Sequence, residues 1–278
     1  MSATPALDVA LPLLRCPVCR GGLRRDGGSL RCARRHAFDV ARQGYASLLT
    51  GARATSGDDA AIALARDRFL ETGAYRPLRE AVVGLAGEPR SVLDVGCGTG
   101  WYLAGVLDAA PGALGVGLDT AARALRRAAR AHERAAALAC DVLHDLPLVD
   151  DAVDVVLDVF SPRNPAEFAR VLRPGGRLVV ARPGDAHLAE LRRAVPGMVA
   201  VDPAKEARLH TALDPDFVPL LTEHVHVEVD LSPDAARDLV TMTPSGRHVT
   251  RADLEDVADV ALPGAVTLDV LVTAYTPR

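Results

Sequence analysis

Ser91-Val-Leu-Asp-Val-Gly-Cys-Gly-Thr-Gly-Trp101 decides the fold, because an apolar strand-forming run ends in a carboxylate and passes directly into a turn with three glycines in five residues. Gly96, Gly98 and Gly100 permit main-chain conformations that a Cβ forbids and let a ligand approach the backbone closely. The order differs from the G-x-G-x-x-G of dinucleotide folds, whose acidic partner stands at the end of the next strand. Here an acid, Asp94, closes the first strand and precedes the glycines.

Further apolar runs follow at regular intervals. Ala113 to Leu118 ends in Asp119; Ala135 to Ala139 is followed by Cys140-Asp141; Asp154 to Val159 leads into Phe160-Ser161-Pro162. Leu172-Arg-Pro-Gly-Gly-Arg-Leu178 reads as the turn into a fifth strand. Ligands of an open parallel sheet sit outside the carboxyl ends of its strands, so Asp94, Asp119, Asp141 and Phe160 are expected to converge on one crevice. A single Asp after a strand is more often a cap or turn former, and it is the recurrence that argues for a site. The pattern resembles motif I and the neighbouring strands of class I (Rossmann-like) S-adenosylmethionine-dependent methyltransferases. That resemblance implies an α/β fold, with Asp119 placed to grip both ribose hydroxyls of the cofactor. Helices are expected after each turn, including one from Thr120 to Arg134 that carries Arg123, Arg126, Arg127, Arg130 and Arg134 on a solvated face.

At 278 residues the chain can hold one large domain with an appendage, or two small ones. No run reaches the ~20 uncharged apolar residues needed to span a bilayer, and the N-terminus lacks the pattern of a secretion signal. A cytoplasmic protein is expected. The net charge of −4 hides an asymmetry: nine Arg against three Asp leave residues 1–56 at +6 and the remainder at −10. Polyanion binding follows a local basic face rather than the total charge, so the N-terminal segment is the candidate contact surface.

That segment also holds Cys16-Pro-Val-Cys19 and, twelve residues later, Cys32-Ala-Arg-Arg-His36. Three thiols and one imidazole at this spacing suit a tetrahedral structural Zn2+, and so small a segment with little apolar content needs such a staple. Gly21-Gly22 and Gly27-Gly28 read as tight turns of a ribbon. A redox C-x-x-C beside an unrelated Cys and His is the alternative, without a surrounding βαβ pattern to support it. Arg20, Arg24, Arg25, Arg34 and Arg35 are candidates for phosphate contact or base stacking in an RNA loop; a merely solvated basic surface is the bland reading.

The segment Cys32 to Leu49, CARRHAFDVARQGYASLL, resembles the characteristic element of the bacterial 23S rRNA (guanine-N1)-methyltransferases, the family that includes tylosin-resistance enzymes. Further similarities are Phe69-Leu-Glu-Thr-Gly-Ala-Tyr-Arg-Pro-Leu78, Ala181-Arg-Pro-Gly-Asp-Ala-His-Leu188 and Met242-Thr-Pro-Ser245, so the resemblance spans essentially the whole chain. It implies methyl transfer to N1 of a guanine in hairpin 35 of 23S rRNA, near the macrolide site of the exit tunnel. Two subfamilies modify different neighbouring guanines, and the Met-Thr-Pro-Ser wording is closer to the Gram-positive branch associated with macrolide resistance. Carried over by position, Cys16, Cys19, Cys32 and His36 match the zinc ligands. Tyr75, Gly98, Thr99 and His187 match cofactor-contacting positions, alongside Asp94, Gly96, Gly100, Asp119 and Asp141. Thr99 stands where relatives often have an acid, which leaves a backbone contact but puts a side-chain role in doubt. Tyr75 also reads as a staple at a helix start, and His187 as an ordinary early-helix residue.

These readings divide the chain into a zinc ribbon (1–37), a connecting arm and helical entry (38–87) and a methyltransferase domain (88–278). Thr55-Ser-Gly-Asp-Asp59 is expected to be mobile, His224 to Asp230 and Ala265 to Ala274 to be strands, and 232–260 to be helical and part of a substrate lid. Guanine N1 carries a proton near neutral pH, so a base must remove it, and the nucleotide must be unstacked to reach the pocket. Asp158 is the candidate for positioning or deprotonating N1, or else a turn acceptor, and Phe160 is the candidate stacking surface. A methyltransferase of a small natural product and a non-enzymatic zinc-ribbon RNA-binding protein remain as alternatives. A monomer and a homodimer are both open.

Overall fold

The computed structural model describes residues 5–50, 60–195, 198, 213–243 and 262–278. Three short strands, β1 (Leu23–Asp26), β2 (Ser29–Cys32) and β3 (Ala37–Asp39), pair antiparallel into a ribbon. Eight more form one sheet: β4 (Ala46–Ser47), β5 (Ser91–Val95), β6 (Leu114–Asp119), β7 (Ala135–Ala139), β8 (Val153–Val159), β9 (Leu172–Pro183), β10 (Phe217–Asp230) and β11 (Ala265–Pro277), in the order β10-β11-β9-β8-β5-β6-β7-β4. The helices are α1 (Ala6–Ala10), α2 (Ala60–Glu71), α3 (Arg76–Ala86), α4 (Trp101–Ala109), α5 (Ala122–Ala131), α6 (Pro165–Val171), α7 (Ala189–Ala194) and α8 (Pro233–Met242).

β5 lies at the middle of the sheet and every one of its residues is buried, as expected of a parallel strand covered on both faces. Pairing is parallel from β9 through β8, β5, β6 and β7 to β4; β11 and β10 join antiparallel on the other side. The carboxyl ends of β5, β6 and β8 therefore open on one side, and the strand order reverses direction about β5, where a crevice is expected. β7 is built almost wholly of alanine, a poor strand former. Pairing on both edges fixes it, and its small side chains let Leu125 and Ala128 of α5 pack closely on the sheet.

Several boundaries differ from the sequence reading. α5 begins at Ala122 because Asp119 takes the amide of Ala121 at 2.8 Å, and it ends at Ala131, where His132 turns extended. Arg134 consequently leaves the expected arginine face. Its guanidinium donates to the carbonyls of Leu107, Ala110 and Ala113 at the end of α4, satisfying groups the helix leaves open. β9 starts at Leu172, so the Arg-Pro-Gly-Gly segment is already strand, with a register shift against β8 between Val153 and Val155. β10 and β11 contain the expected strands and extend beyond them.

The ribbon packs directly on the sheet. Leu14, Cys16, Leu23, Leu30 and Phe38 share one apolar cluster with Leu93, Val116 and Leu138. Leu14 bridges Leu148, the Arg15 amide donates to Pro147 O, and β4 adds a two-residue strand to the edge at β7. On the side of the crevice, α2 packs against α8, and Arg68 ion-pairs with Asp238. Helix therefore occupies 233–242 of the expected lid. Residues 244–260 of that lid, which include Pro244 and Ser245 of the Met-Thr-Pro-Ser motif, and Thr55 to Asp59 lie outside the described residues.

Candidate functional sites: a thiolate cluster and a carboxylate-lined crevice

Cys16 and Cys19 sit on one knuckle, Cys32 and His36 on the other, and the β1–β3 ribbon holds the two face to face. Cys16 Sγ lies 3.5 Å from His36 Nδ1, Cys32 Sγ lies 3.3 Å from the same nitrogen, and Cys19 Sγ lies 3.6 Å from Cys32 Sγ. A tetrahedral ion with Zn–S about 2.3 Å and Zn–N about 2.1 Å separates its ligands by roughly 3.5–3.8 Å. The four side chains fit structural zinc. Arg20 and Arg35, the residues following Cys19 and preceding His36, adopt φ of 59° and 66°, a left-handed backbone that a non-glycine residue keeps only when its surroundings impose it. Burial pushes the Cys32 thiol up, but the backbone amides of His36 and Arg34 and the neighbouring Cys19 outweigh it and bring it down to about 6, toward the thiolate that a metal needs.

Around the ribbon, Arg20 pairs with Asp145 at 2.7 Å, and Arg25 donates to Gly27 O and lies 3.8 Å from Asp8. Arg24, Arg34 and Arg35 are exposed.

At the crevice, the glycine turn follows β5 with φ of 67°, 54° and 81° at Gly96, Gly98 and Gly100. Gly100 enters α4, and a Cβ there would meet Ala128 at 3.1 Å; one at Gly96 would meet Ser161 Cβ at 2.5 Å. Thr99 is buried between them. Asp94 is 2 % exposed and its Oδ2 has no hydrogen-bond partner among the described residues. Burial, and then the neighbouring carboxylates of Asp119 and Asp158, hold its carboxyl well above the usual range. Asp119 uses Oδ2 to accept the Gly98 amide at 2.9 Å and Oδ1 to accept that of Ala121. It thereby fixes the turn. Asp141 accepts the Leu143 amide at 3.1 Å in a tight turn beside His144.

The crevice has an aromatic wall. Phe69 meets Tyr75 edge-on with centroids 4.9 Å apart, Tyr75 lies 6.3 Å from the His187 ring, and His187 stacks on Phe160 at 5.9 Å and 29°. Tyr75 is the N-cap residue of α3 and is 3 % exposed, its ring packed into this wall. Phe160 is 42 % exposed and sits at φ 56°. Asp94, the three glycines, Asp119, Phe160, Tyr75 and His187 are thus brought together.

Asp158 requires a correction. Its carboxylate has no exposed surface. Oδ1 accepts from the Ser161 hydroxyl at 2.7 Å, and Arg163 Nε lies 3.0 Å from Oδ2. A group closed off in this way cannot reach the N1 proton of an incoming base, so direct deprotonation does not fit. Ser161 and Arg163 were not legible as site residues, since only the folded loop brings them onto Asp158. Neither was Arg66 of α2, whose guanidinium lies about Gly98, with Nη1 3.5 Å from the position a Cβ would take, and which donates to Met242 O.

Comparison with known proteins agrees with this geometry. Residues 14–53 match the zinc-ribbon family described as RlmA, N-terminal, and residues 92–176 match the methyltransferase domain family. A 23S rRNA (guanine(748)-N(1))-methyltransferase of Streptomyces fradiae is 43% identical, over 95% of this chain and 96% of the relative. A candidate 23S rRNA (guanine-N(1)-)-methyltransferase of Micromonospora griseorubida is also 43% identical, over 96% and 98%. Among solved structures, a Haloferax volcanii complex of the Trm112 methyltransferase activator and a candidate methyltransferase matches with a TM-score of 0.51 and 22% identity, covering 79% of this chain and 98% of that one. The last match speaks to the fold alone.

Proposed function

This chain belongs to the 23S rRNA (guanine-N1)-methyltransferase family, and we propose that it methylates N1 of a guanine in the hairpin 35 loop of 23S rRNA, the one for which the Streptomyces fradiae relative is named. The observation that carries this reading is 43% identity over nearly the full length. A glycine-cradled crevice with a buried carboxylate, one of whose oxygens has no hydrogen-bond partner among the described residues, supports it. By the family resemblance, methylation there bears on macrolide sensitivity.

S-adenosylmethionine supplies a methyl group already activated on a sulfonium. The protein's tasks are to align donor and acceptor and to let the guanine N1 proton leave; with Asp158 closed off, that proton passes to water on the exposed Phe160 side of the crevice. Gly96, Gly98 and Gly100 leave the backbone bare where the methionine moiety lies, and Thr99 offers its main chain. Asp94 and Asp119 give the crevice a negative potential that favours the cofactor's ammonium and sulfonium groups, with Asp119 also reaching the ribose and Asp141 the adenine side. Arg66 supplies the positive charge for the methionine carboxylate. Tyr75 and His187 close the wall. Phe160, held exposed by its left-handed backbone, stacks the extruded guanine. Asp158 acts as a positioning residue, holding Ser161 against the Gly96 turn and Arg163 at the mouth. Zinc holds the ribbon, and Arg24, Arg34 and Arg35 contact phosphates.

The test is methyl transfer from labelled S-adenosylmethionine to a hairpin 35 transcript, full-length rRNA and ribosomal subunits, with primer extension to map the base. A stop at the guanine 748 position is expected. No incorporation into any of the three, with cofactor bound, would replace this reading with a small-molecule methyltransferase whose substrate binding is insensitive to salt.

A further inference from the structure

A side-chain cluster outside both sites stands where the outer pair of strands, β10 and β11, meets the crevice loop. β10 and β11 pair with His226 directly opposite Asp269, and the two-residue period of a strand puts His224 on the same face. His224 Nε2 lies 2.5 Å and His226 Nδ1 3.2 Å from the same oxygen, Asp269 Oδ1, and the two rings are 5.5 Å apart. All three ligand atoms lie within 4.8 Å of one another.

Hydrogen bonding alone explains a His–Asp pair, but three features here go beyond one. Two imidazoles from one strand converge through different nitrogens on a single oxygen. The other oxygen, Oδ2, is engaged by the Ala186 amide at 2.8 Å, the kind of outer contact that orients a ligating carboxylate. Asp269 is 5 % exposed whereas both imidazole side chains are more than half exposed, so the open side of the cluster faces solvent. The carboxylate also fills the space a Cβ would occupy at Gly184.

We propose that His224, His226 and Asp269 form a second metal site, for a divalent transition ion of the Zn2+ class, with three protein ligands and the remaining positions taken by water. Two imidazoles and one carboxylate suit Zn, Ni, Co or Cu rather than Mg or Ca, which prefer oxygen throughout. The site differs in donor set from the thiolate ribbon and does not rest on the assignment of the RNA substrate. Asp269 also accepts the Gly184 amide on its main-chain oxygen, and the adjoining loop carries His187 onto Phe160. A bound ion therefore ties the outer strand pair to the crevice wall.

Tag-free protein saturated with zinc and passed through gel filtration is assayed for metal content, beside the His224→Gln/His226→Gln double variant. Both substitutions fall on exposed side chains, and thermal melts of the two proteins with only the ribbon zinc-loaded check the fold. The wild type is expected to hold two zinc ions per chain and the variant one. Cobalt added to the protein with its ribbon already zinc-loaded is expected to give weak visible bands free of thiolate charge transfer, lost in the variant. One zinc in the wild type, or a second equivalent undiminished in the variant, overturns the site.

Discussion

The two ends of the central strands treat aspartate in opposite ways. At the amino ends, Asp154 accepts from the amides of Arg90 and Ser91, the Ser91 hydroxyl and the Arg173 guanidinium, all within 3.2 Å. Burial pushes its carboxyl up, but the Arg173 bond and those amides prevail and hold it below the usual range. At the carboxyl ends, Asp94 is buried with an unpartnered oxygen and raised by burial and by Asp119 and Asp158. The first arrangement is complete without a ligand. The second leaves an electrostatic conflict unresolved, and a conflict of this kind marks a candidate working site more sharply than any single residue.

Substitutions can break or sharpen the contrast. The largest effect is expected from Gly96→Ala, which forces a Cβ into Ser161 at a φ of 67°. Such strained backbone costs about 1–3 kcal/mol before Ser161 is displaced, and methyl incorporation should fall below detection. Asp154→Ala takes the acceptor from the Arg90 and Ser91 amides, the Ser91 hydroxyl and the part-buried Arg173 guanidinium and should lower unfolding stability by about 1–2 kcal/mol, read from denaturant midpoints, with cofactor affinity unchanged. Asp158→Asn is expected to lower kcat while leaving the shape of its pH profile intact, because the residue positions Ser161 and Arg163; disappearance of the acidic limb would restore a direct role as base. Asp94→Asn should leave the cofactor-free protein at least as stable while weakening cofactor binding about tenfold, roughly 1.4 kcal/mol, by calorimetric titration.

The pH dependence carries opposite signs at the two ends. Asp154, depressed in the folded state, contributes stability above the unfolded value near ~4, and this is lost as pH falls through its folded value. Asp94, raised in the folded state, binds its proton more tightly than in the unfolded chain. The cofactor-free protein therefore loses Asp94's share of stability as pH rises from ~4 through the raised value.

Where the signal was local, the sequence was sufficient. The glycine turn, the strands feeding it and the Cys3His spacing are periodic or motif-like, and β5, β6, β7 and the four clustered ligands lie where that reading places them. Non-local features escaped it. The two residues of β4 carry no strand pattern and pair only because the packed ribbon delivers them to the β7 edge. Arg134 looked like one more exposed arginine until α5 ended before it. The burial of Asp158 depends on a loop folding back, which no spacing announces, and the convergence of His224 with Asp269 depends on the register of strands 45 residues apart.

The central claim, that Asp94 is held in conflict for a cationic cofactor, is tested most directly by proton release. S-adenosylmethionine is titrated calorimetrically into the wild type and Asp94→Asn in buffers of different ionisation enthalpy, below the pH at which Asp94 is fully ionised. A cation bound beside Asp94 lowers its pKa, so the wild type should release protons on binding, with affinity rising as pH rises, and the variant should release none. Equal proton release from both proteins, or none from the wild type across the acidic range, would contradict the account.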